Sequence, residues 1–263
     1  MAAEWYISTR VCDNGIEYKT KYPMPQSRGR ALSGERKRRA VRRAEKSAAS
    51  SALELGQTLN CNFQVSRDCY VTLSYSKTGM EILHSIADAL PDGLSKRDAL
   101  YEAAERFAAD RFLKRLRRAC RKAGVELRYA YVTSDMDAHT KRARRVHHHM
   151  VINAEALPLA QQCWREGGFA HGRLYSHHRG DLQELADYMI GQVRRRPGKS
   201  SYHPSRNLAA PIRTEPVRAL HPMAELQVPR GCEKIWRSES MAGRPQHVRY
   251  WRPPELRKEC MQI

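Results

Sequence analysis

Apolar and polar residues alternate in three short stretches of the chain, and this two-residue period is typical of β-strands with one buried face. The first is residues 68–76, DCYVTLSYS, whose polar face includes Thr72. The other two are residues 126–134, ELRYAYVTS, and 145–153, RVHHHMVIN, both rich in aromatic or β-branched residues. The polar stretch 135–144 between them predicts that they form a hairpin.

Longer stretches follow a helical period instead. Phe and Leu positions recur along one face of residues 95–123, and Ser95 with Asp98 forms a capping box at the start of this predicted helix. A second helix is predicted over 181–193, DLQELADYMIGQV, with Tyr188 at the edge of its apolar stripe.

The charge of the chain indicates a polyanionic partner. Its 47 Lys and Arg residues exceed its 28 Asp and Glu residues, which gives a formal net charge of +19. Residues 28–46 contain nine basic and two acidic residues, among them Arg38 and Arg39. This stretch is either a solvated helix or disordered arm, or a surface that contacts a DNA backbone, and the pattern itself leaves both open.

Hydropathy and cysteine spacing argue against a membrane-spanning protein, a secreted protein and a small domain held together by zinc or disulfides. No stretch approaches the ~20 apolar residues of a membrane-spanning helix, and the first ten residues lack the apolar core of a signal peptide. We therefore expect a cytoplasmic protein without a membrane partner. The seven cysteines are scattered and never spaced as CxxC, so neither a zinc module nor a disulfide framework is predicted and reduced thiols are expected.

The three consecutive histidines carry the candidate chemistry. On a strand, His147 and His149 lie on one face, while His148 lies on the other with Val146 and Met150, where it is expected in the core. Two imidazoles at this spacing can converge on a divalent metal, although histidine pairs are also found simply buried. A metal that withdraws charge from a phosphate would make attack by a tyrosine hydroxyl, such as that of Tyr188, feasible.

Four stretches occur together in an order that resembles a known family. They are YVTLSYS (70–76), RVHHHMVIN (145–153), LADYMIGQV (185–193) and SYHPSRNLAAP (201–211). In this order they resemble the motifs of rolling-circle replication initiators of the HUH endonuclease superfamily, in the branch of phage and plasmid proteins related to those of filamentous and small isometric phages. The resemblance covers about residues 55–212.

The resemblance implies a fold, a metal and a nucleophile. The fold is α+β, with a central antiparallel sheet of the ferredoxin or RRM-like kind, helices on one face and the other face open. His147 and His149 would bind Mg²⁺ or Mn²⁺, and Tyr188 would become joined to the 5′ end of nicked DNA. The third ligand of the family falls on Ser134 here, so the neighbouring carboxylate of Asp135 is the expected ligand.

The resemblance also implies how DNA is bound. The family's lysine after the tyrosine is absent, because Gly191 and Gln192 stand there, and Arg194 or Arg195 would supply the positive charge instead. Further expected DNA contacts are Arg144, Arg145 and Arg206, together with Arg38 and Arg39 of the basic stretch. The expected substrate is single-stranded or hairpin origin DNA. Since the chain contains no GxxxxGK[ST] loop, strand separation would require a host helicase, and host replication proteins are further expected partners.

The domain organisation predicted from these features has three parts. Residues 1–54 form an N-terminal segment with the basic arm, residues 55–216 the endonuclease domain, and residues 217–263 a C-terminal extension of unassigned role. Three alternatives stay open. The chain could be an HUH transposase or relaxase, where His139 would be a third histidine ligand; a non-catalytic DNA-binding protein; or a metal-dependent nuclease that activates water.

Overall fold

The structure is a computed structural model that describes residues 4–23, 48–91, 93–194, 196, 199–221, 224–239 and 244–257. The expected DNA-binding residues Arg38, Arg39 and Arg195 lie outside these residues. The strands are β1 (Trp5–Val11), β2 (Ile16–Pro23), β3 (Cys69–Ser74), β4 (Tyr129–Met136), β5 (Ala143–Ile152), β6 (Phe169–Arg173), β7 (His203–Pro204), β8 (Ile212–Arg213), β9 (Val217–Arg218), β10 (Glu233–Arg237) and β11 (Gln246–Trp251). The helices are α1 (Ala48–Asn62), α2 (Lys77–Asp88), α3 (Lys96–Phe107), α4 (Leu113–Ala123), α5 (Leu157–Cys163), α6 (Gln183–Gly191) and α7 (Pro254–Arg257).

The three predicted strands lie side by side in a five-stranded antiparallel sheet, which we call the central sheet. Its order is β6, β3, β5, β4 and β7, so the strand with the three histidines is in the middle. β4 and β5 form the predicted hairpin. The fold is therefore α+β, as expected, with antiparallel sheets and separate helices.

Helices pack on both faces of the central sheet, not on one face only. One face carries Leu73, Met150 and Ile152, which pack in a core with the helices α2 to α5. The other face carries Ala130, Val132 and Val151, and their apolar side chains are covered by α1 and α6. The expected open face is thus restricted to the end of the sheet where β5 begins, because the apolar residues further along that face require burial.

The long predicted helix begins and ends as its sequence indicates. The Ser95 hydroxyl accepts the Asp98 N–H at 3.1 Å, and Gly124 ends the helix with a φ of 66°, in the left-handed region that glycine adopts freely. Between these ends, residues 108–112 form a π-helical turn that joins α3 to α4. The helix is therefore continuous but locally widened.

A second antiparallel sheet joins the two ends of the chain, and we call it the terminal sheet. Its order is β10, β11, β2, β1 and β8, with β9 also pairing with β1. The predicted boundary at residue 54 falls inside α1, and strands of the N-terminal segment pair with strands of the C-terminal extension. These two predicted regions are thus one structural layer, which packs on α1 through Cys12, Ile16 and Cys61.

Two further predictions concerned the cysteines and membrane-spanning helices. In the described part of the chain, none of the six cysteines is paired in a disulfide, and four of them are buried. Within the same residues, none of the helices combines the length and the apolar character needed to cross a membrane.

Candidate metal and nucleophile site

His147 and His149 lie on one face of β5, where His147 is half-buried and His149 is 4% exposed. His147 pairs with Ser74 and Ser134 of the neighbouring strands, and His149 with Thr72 and Val132. Their Nε2 atoms are 3.0 Å apart. The predicted convergence of the two imidazoles is therefore present in the structure.

His148 lies on the opposite face, as the alternation predicts. It is completely buried, its Nδ1 lies 3.0 Å from the Thr133 hydroxyl, and its Nε2 lies 2.7 Å from the Tyr75 hydroxyl. Burial lowers its pKa from 6.5 to about 3, so the ring is neutral. His148 is a core residue with both nitrogens partnered.

The hydrogen bonds of the pair fix which nitrogen of each ring faces the site. His147 Nδ1 donates to the Arg145 carbonyl at 2.8 Å, so a neutral His147 carries its lone pair on Nε2. His149 donates from Nε2 to Gln192 Oε1 at 3.0 Å, and its Nδ1 lies 3.2 Å from the Thr72 hydroxyl, which can donate to it. Burial, with a smaller contribution from His147, lowers the pKa of His149 to about 4. The neutral His149 ring would bind a metal through Nε2 once its proton moves to Nδ1, beside the Thr72 hydroxyl.

Gln192 supplies a third donor that was not predicted as a ligand. Its side-chain Oε1 is 3.0 Å from His149 Nε2. Two further bonds fix the residue: the Ser134 hydroxyl donates to its carbonyl at 2.9 Å, and its own Nε2 donates to the Tyr188 carbonyl at 3.4 Å. The spacing of four residues from Tyr188 was a usable signal, because residues four apart lie on one side of a helix.

The structure does not bring Asp135 to the histidine pair. Its Oδ2 accepts a hydrogen bond from Arg97 Nε at 2.7 Å and lies 3.3 Å from a terminal nitrogen of Arg194. The reason is the alternation of β4: Ser134 pairs with His147 and shares its face, so Asp135 lies toward α3. Among the described residues, no group of three His, Cys, Asp or Glu side chains is arranged to hold a metal.

The surroundings of Asp135 predict a structural role. We expect Asp135→Asn to lower the free energy of unfolding by about 3 kcal/mol, because Arg97 and Arg194 lose a buried counter-charge. We expect its Mn²⁺ affinity to equal that of the wild type. Urea unfolding and titration calorimetry measure the two quantities. Asp110→Asn, at an exposed ion pair with Lys114, is the control and should cost less than about 1 kcal/mol. A tenfold loss of Mn²⁺ affinity in Asp135→Asn would identify Asp135 as a ligand.

Tyr188 lies beside the histidines on α6. The buried residues Ala186, Met189 and Ile190 hold this helix against α1 and the central sheet. The ring centre of Tyr188 is 5.9 Å from that of His149, and the side chain is 41% exposed. The predicted nucleophile is thus both adjacent to the histidine pair and accessible to a substrate.

A second tyrosine, Tyr70 of β3, lies under the same site. Its ring stacks on His149 with centres 5.4 Å apart and lies 6.4 Å from the ring of Tyr188. Burial, and then the nearby Tyr188 hydroxyl, raise the pKa of Tyr70 well above its usual value. Tyr70 therefore remains a neutral phenol that positions His149. It shares a face with Thr72, which the alternation of β3 could have indicated.

The hairpin between β4 and β5 brings positive charge to the site. Lys141 Nζ donates to the Gly191 carbonyl at 2.6 Å, at the end of α6 that carries Tyr188. His139, in the same hairpin, has its ring 6.5 Å from that of Tyr188. Arg144 and Arg145 are exposed on β5 beside His147, and Arg144 forms an ion pair with Asp137.

Two other expected DNA-binding residues lie away from this cluster. Arg194 pairs with Asp98 at 2.8 Å and with Asp135, on the α3 side of the sheet. Lys141 thus occupies the place beside α6 where Arg194 was expected. Arg206 is exposed but follows Ser205, which bonds to Tyr129 at the far end of β4. At 3.3 Å per residue, that end is roughly 17 Å from the residue paired with His147.

Comparisons with known proteins add no identification. No protein-family model matches the chain, and no curated protein or solved structure matches it either.

Proposed function

We propose that this protein is an endonuclease that nicks and rejoins single-stranded DNA through Tyr188, and that it initiates rolling-circle replication of a phage, plasmid or integrated element. The observation that carries the proposal is the convergence of three lone-pair donors beside an accessible tyrosine. His147 Nε2, His149 Nε2 and Gln192 Oε1 meet on one sheet face, and the Tyr188 ring is 5.9 Å from that of His149. The more specific role in rolling-circle replication rests on the four sequence stretches that occur in the same order as the motifs of that family.

The donor set fits a divalent cation such as Mn²⁺ or Mg²⁺. Three neutral donors would hold the ion without neutralising it, since no protein carboxylate joins them within the described residues. Such an ion favours oxygen ligands and would therefore also attract a phosphate oxygen of the substrate. When bound, the ion would withdraw charge from the scissile phosphate.

The protein's own residues would perform the transfer. The Tyr188 oxygen attacks phosphorus, the new oxygen–phosphorus bond forms, and the bond to the 3′ oxygen breaks. The tyrosine proton passes to solvent, and the departing oxygen takes up a proton to become a 3′-hydroxyl. The DNA 5′ end remains as a phosphotyrosine ester, so attack by a 3′-hydroxyl reverses the reaction and rejoins the strand. Lys141, Arg144 and Arg145 would attract the phosphate backbone.

The surrounding charge supports DNA as the substrate. A net charge of +19 favours a polyanion, and exposed Arg144 and Arg145 flank the histidine pair. The site would accept single strands or hairpin loops, in the cytoplasm of a bacterial host. Duplex unwinding would fall to a host helicase, and other host replication proteins would extend the 3′-hydroxyl.

The test mixes the purified protein with Mn²⁺ and labelled single-stranded oligonucleotides tiled across its own genetic element. We expect a protein–DNA adduct that survives denaturation, with the modified peptide containing Tyr188, and we expect none in the His147→Ala/His149→Ala variant. DNA that is cut without an adduct would favour the hydrolytic nuclease. DNA that is bound but never cut, across all oligonucleotides and with both metals, would favour the non-catalytic DNA-binding protein.

A further inference from the structure

A cavity of about 540 Å³ lies between the terminal sheet and the two helices α1 and α6. This volume is within the range of ~300–1,000 Å³ that small-ligand sites occupy. Asp187, which precedes Tyr188, lines the cavity. A group bound there would therefore lie one residue along α6 from the proposed nucleophile.

The sheet wall of this cavity presents aromatic rings on either side of a guanidinium. Arg249 of β11 pairs with Tyr18 of β2 and with Trp236 of β10, so the three side chains form a row on one face. The guanidinium is 6.0 Å from the Tyr18 ring and 5.9 Å from the Trp236 ring. A register shift in β10 falls between Lys234 and Trp236, and such bulges redirect side chains. Trp236 remains 47% exposed, so its ring is available for stacking.

The helical wall presents hydrogen-bond acceptors. Asp187 and Glu184 are solvent-accessible residues of α6, three positions apart and thus on one side of the helix. The two walls are joined where the Tyr18 hydroxyl donates to Gln183 Oε1 at 3.2 Å. This hydrogen bond between β2 and α6 therefore fixes the distance between the aromatic row and the two carboxylates.

We propose that this cavity binds one base of the single-stranded DNA next to the scissile phosphate, stacked on Trp236, with Asp187 and Glu184 accepting hydrogen bonds from the base. The inference rests on the proposed function, which it extends to substrate recognition. Carboxylates accept hydrogen and cannot donate it, so they favour bases with an exocyclic amino group, such as cytosine, over thymine. Stacking on an aromatic ring supplies affinity without selecting the base.

The charge of the chain favours a polyanion as the occupant of this cavity. Residues 28–46, with nine basic residues, immediately precede α1, and Ala49 and Ser50 at the start of α1 line the cavity. The net charge of +19 would attract the phosphates on either side of a bound base. This charge favours a nucleic acid strand over an acidic or neutral peptide of similar size, because each added phosphate adds to the attraction.

The test measures DNA binding in a Tyr188→Phe background, so that cutting cannot contribute. We expect labelled dC12 to bind more tightly than dT12 by fluorescence anisotropy. Trp236→Ala should weaken dC12 binding roughly tenfold, equivalent to about 1.4 kcal/mol, while Trp236→Phe should retain most of the affinity. Asp187→Asn should reduce the preference for dC12 over dT12. Tyr175→Ala, which removes an exposed aromatic ring outside the cavity, is the matched control.

Photocrosslinking locates the base directly. A dC12 oligonucleotide with 5-iododeoxycytidine should crosslink to the peptide that contains Trp236. Unchanged dC12 binding by Trp236→Ala, together with crosslinks only elsewhere, would overturn the inference, and so would equal binding of dC12 and dT12 in the Tyr188→Phe protein. These results are independent of adduct formation. If the crosslink appears but wild-type protein never forms an adduct, the proposed function fails while the base-binding site stands.

Discussion

Tyr188→Phe is expected to abolish the covalent protein–DNA adduct, with a loss of at least about a thousandfold in its rate of formation. The substitution removes a single hydroxyl from a partly exposed ring, so the packing of α6 through Ala186 and Met189 is unaffected. We therefore expect the affinities for Mn²⁺ and for single-stranded DNA to stay within about twofold of the wild type. Single-turnover assays on denaturing gels measure the rate, and titration calorimetry measures the metal affinity.

Tyr70→Phe is the matched control for this experiment. Tyr70 lies against the same histidine, but its hydroxyl is buried and its raised pKa keeps it protonated. We expect this variant to keep forming the adduct, because phenylalanine retains the ring that stacks on His149. An adduct formed by Tyr188→Phe at the wild-type rate would show that the nucleophile lies elsewhere; loss of the adduct in Tyr70→Phe alone would assign it to Tyr70.

Gln192→Ala is expected to weaken Mn²⁺ binding by roughly 10- to 100-fold. The amide oxygen 3.0 Å from His149 Nε2 is the donor that completes the set, and without it the two imidazoles remain alone. Gln192→Glu should bind Mn²⁺ more tightly than the wild type, because a carboxylate offsets the charge of the ion. Adduct formation by Gln192→Ala should recover as Mn²⁺ is raised toward saturation, since Tyr188 is unchanged.

Gln227→Ala removes an exposed glutamine of the same size away from the site, and we expect it to leave Mn²⁺ binding unchanged. If Gln192→Ala binds Mn²⁺ as the wild type does, the third-donor assignment is wrong. If Gln192→Ala unfolds at a lower denaturant concentration but keeps its metal affinity, Gln192 has only the structural role that its side-chain bonds to His149 and to the Tyr188 carbonyl indicate.

The local sequence pattern was sufficient to predict the strands that carry the candidate site. Alternation along 145–153 placed His147 and His149 on one face and His148 in the core, and the structure agrees. The same is true of the Ser95 cap and the Gly124 end of the long helix. These features depend on neighbours within a few residues, so the sequence at each position is enough to specify them.

The third donor was missed because it depends on register and packing. Choosing Asp135 treated nearness in sequence to Ser134 as nearness in space, whereas adjacent strand residues point to opposite faces. Gln192 reaches His149 from a different element, just beyond α6, and only the packing of α6 on the sheet brings it there. Lys141 likewise reaches α6 from the β4–β5 hairpin.

By itself, the sequence determined the α+β class, the strand that carries the histidine pair and the charge that favours a polyanion. Only the tertiary structure decided that α1 and α6 cover part of the second sheet face, that Gln192 faces His149, and that the terminal sheet and α6 enclose a cavity lined by Asp187. The physical reason is the range of the interactions. Periodicity and capping are local, whereas β2 pairs with β11 more than 200 residues away, and no short-range pattern selects such a partner.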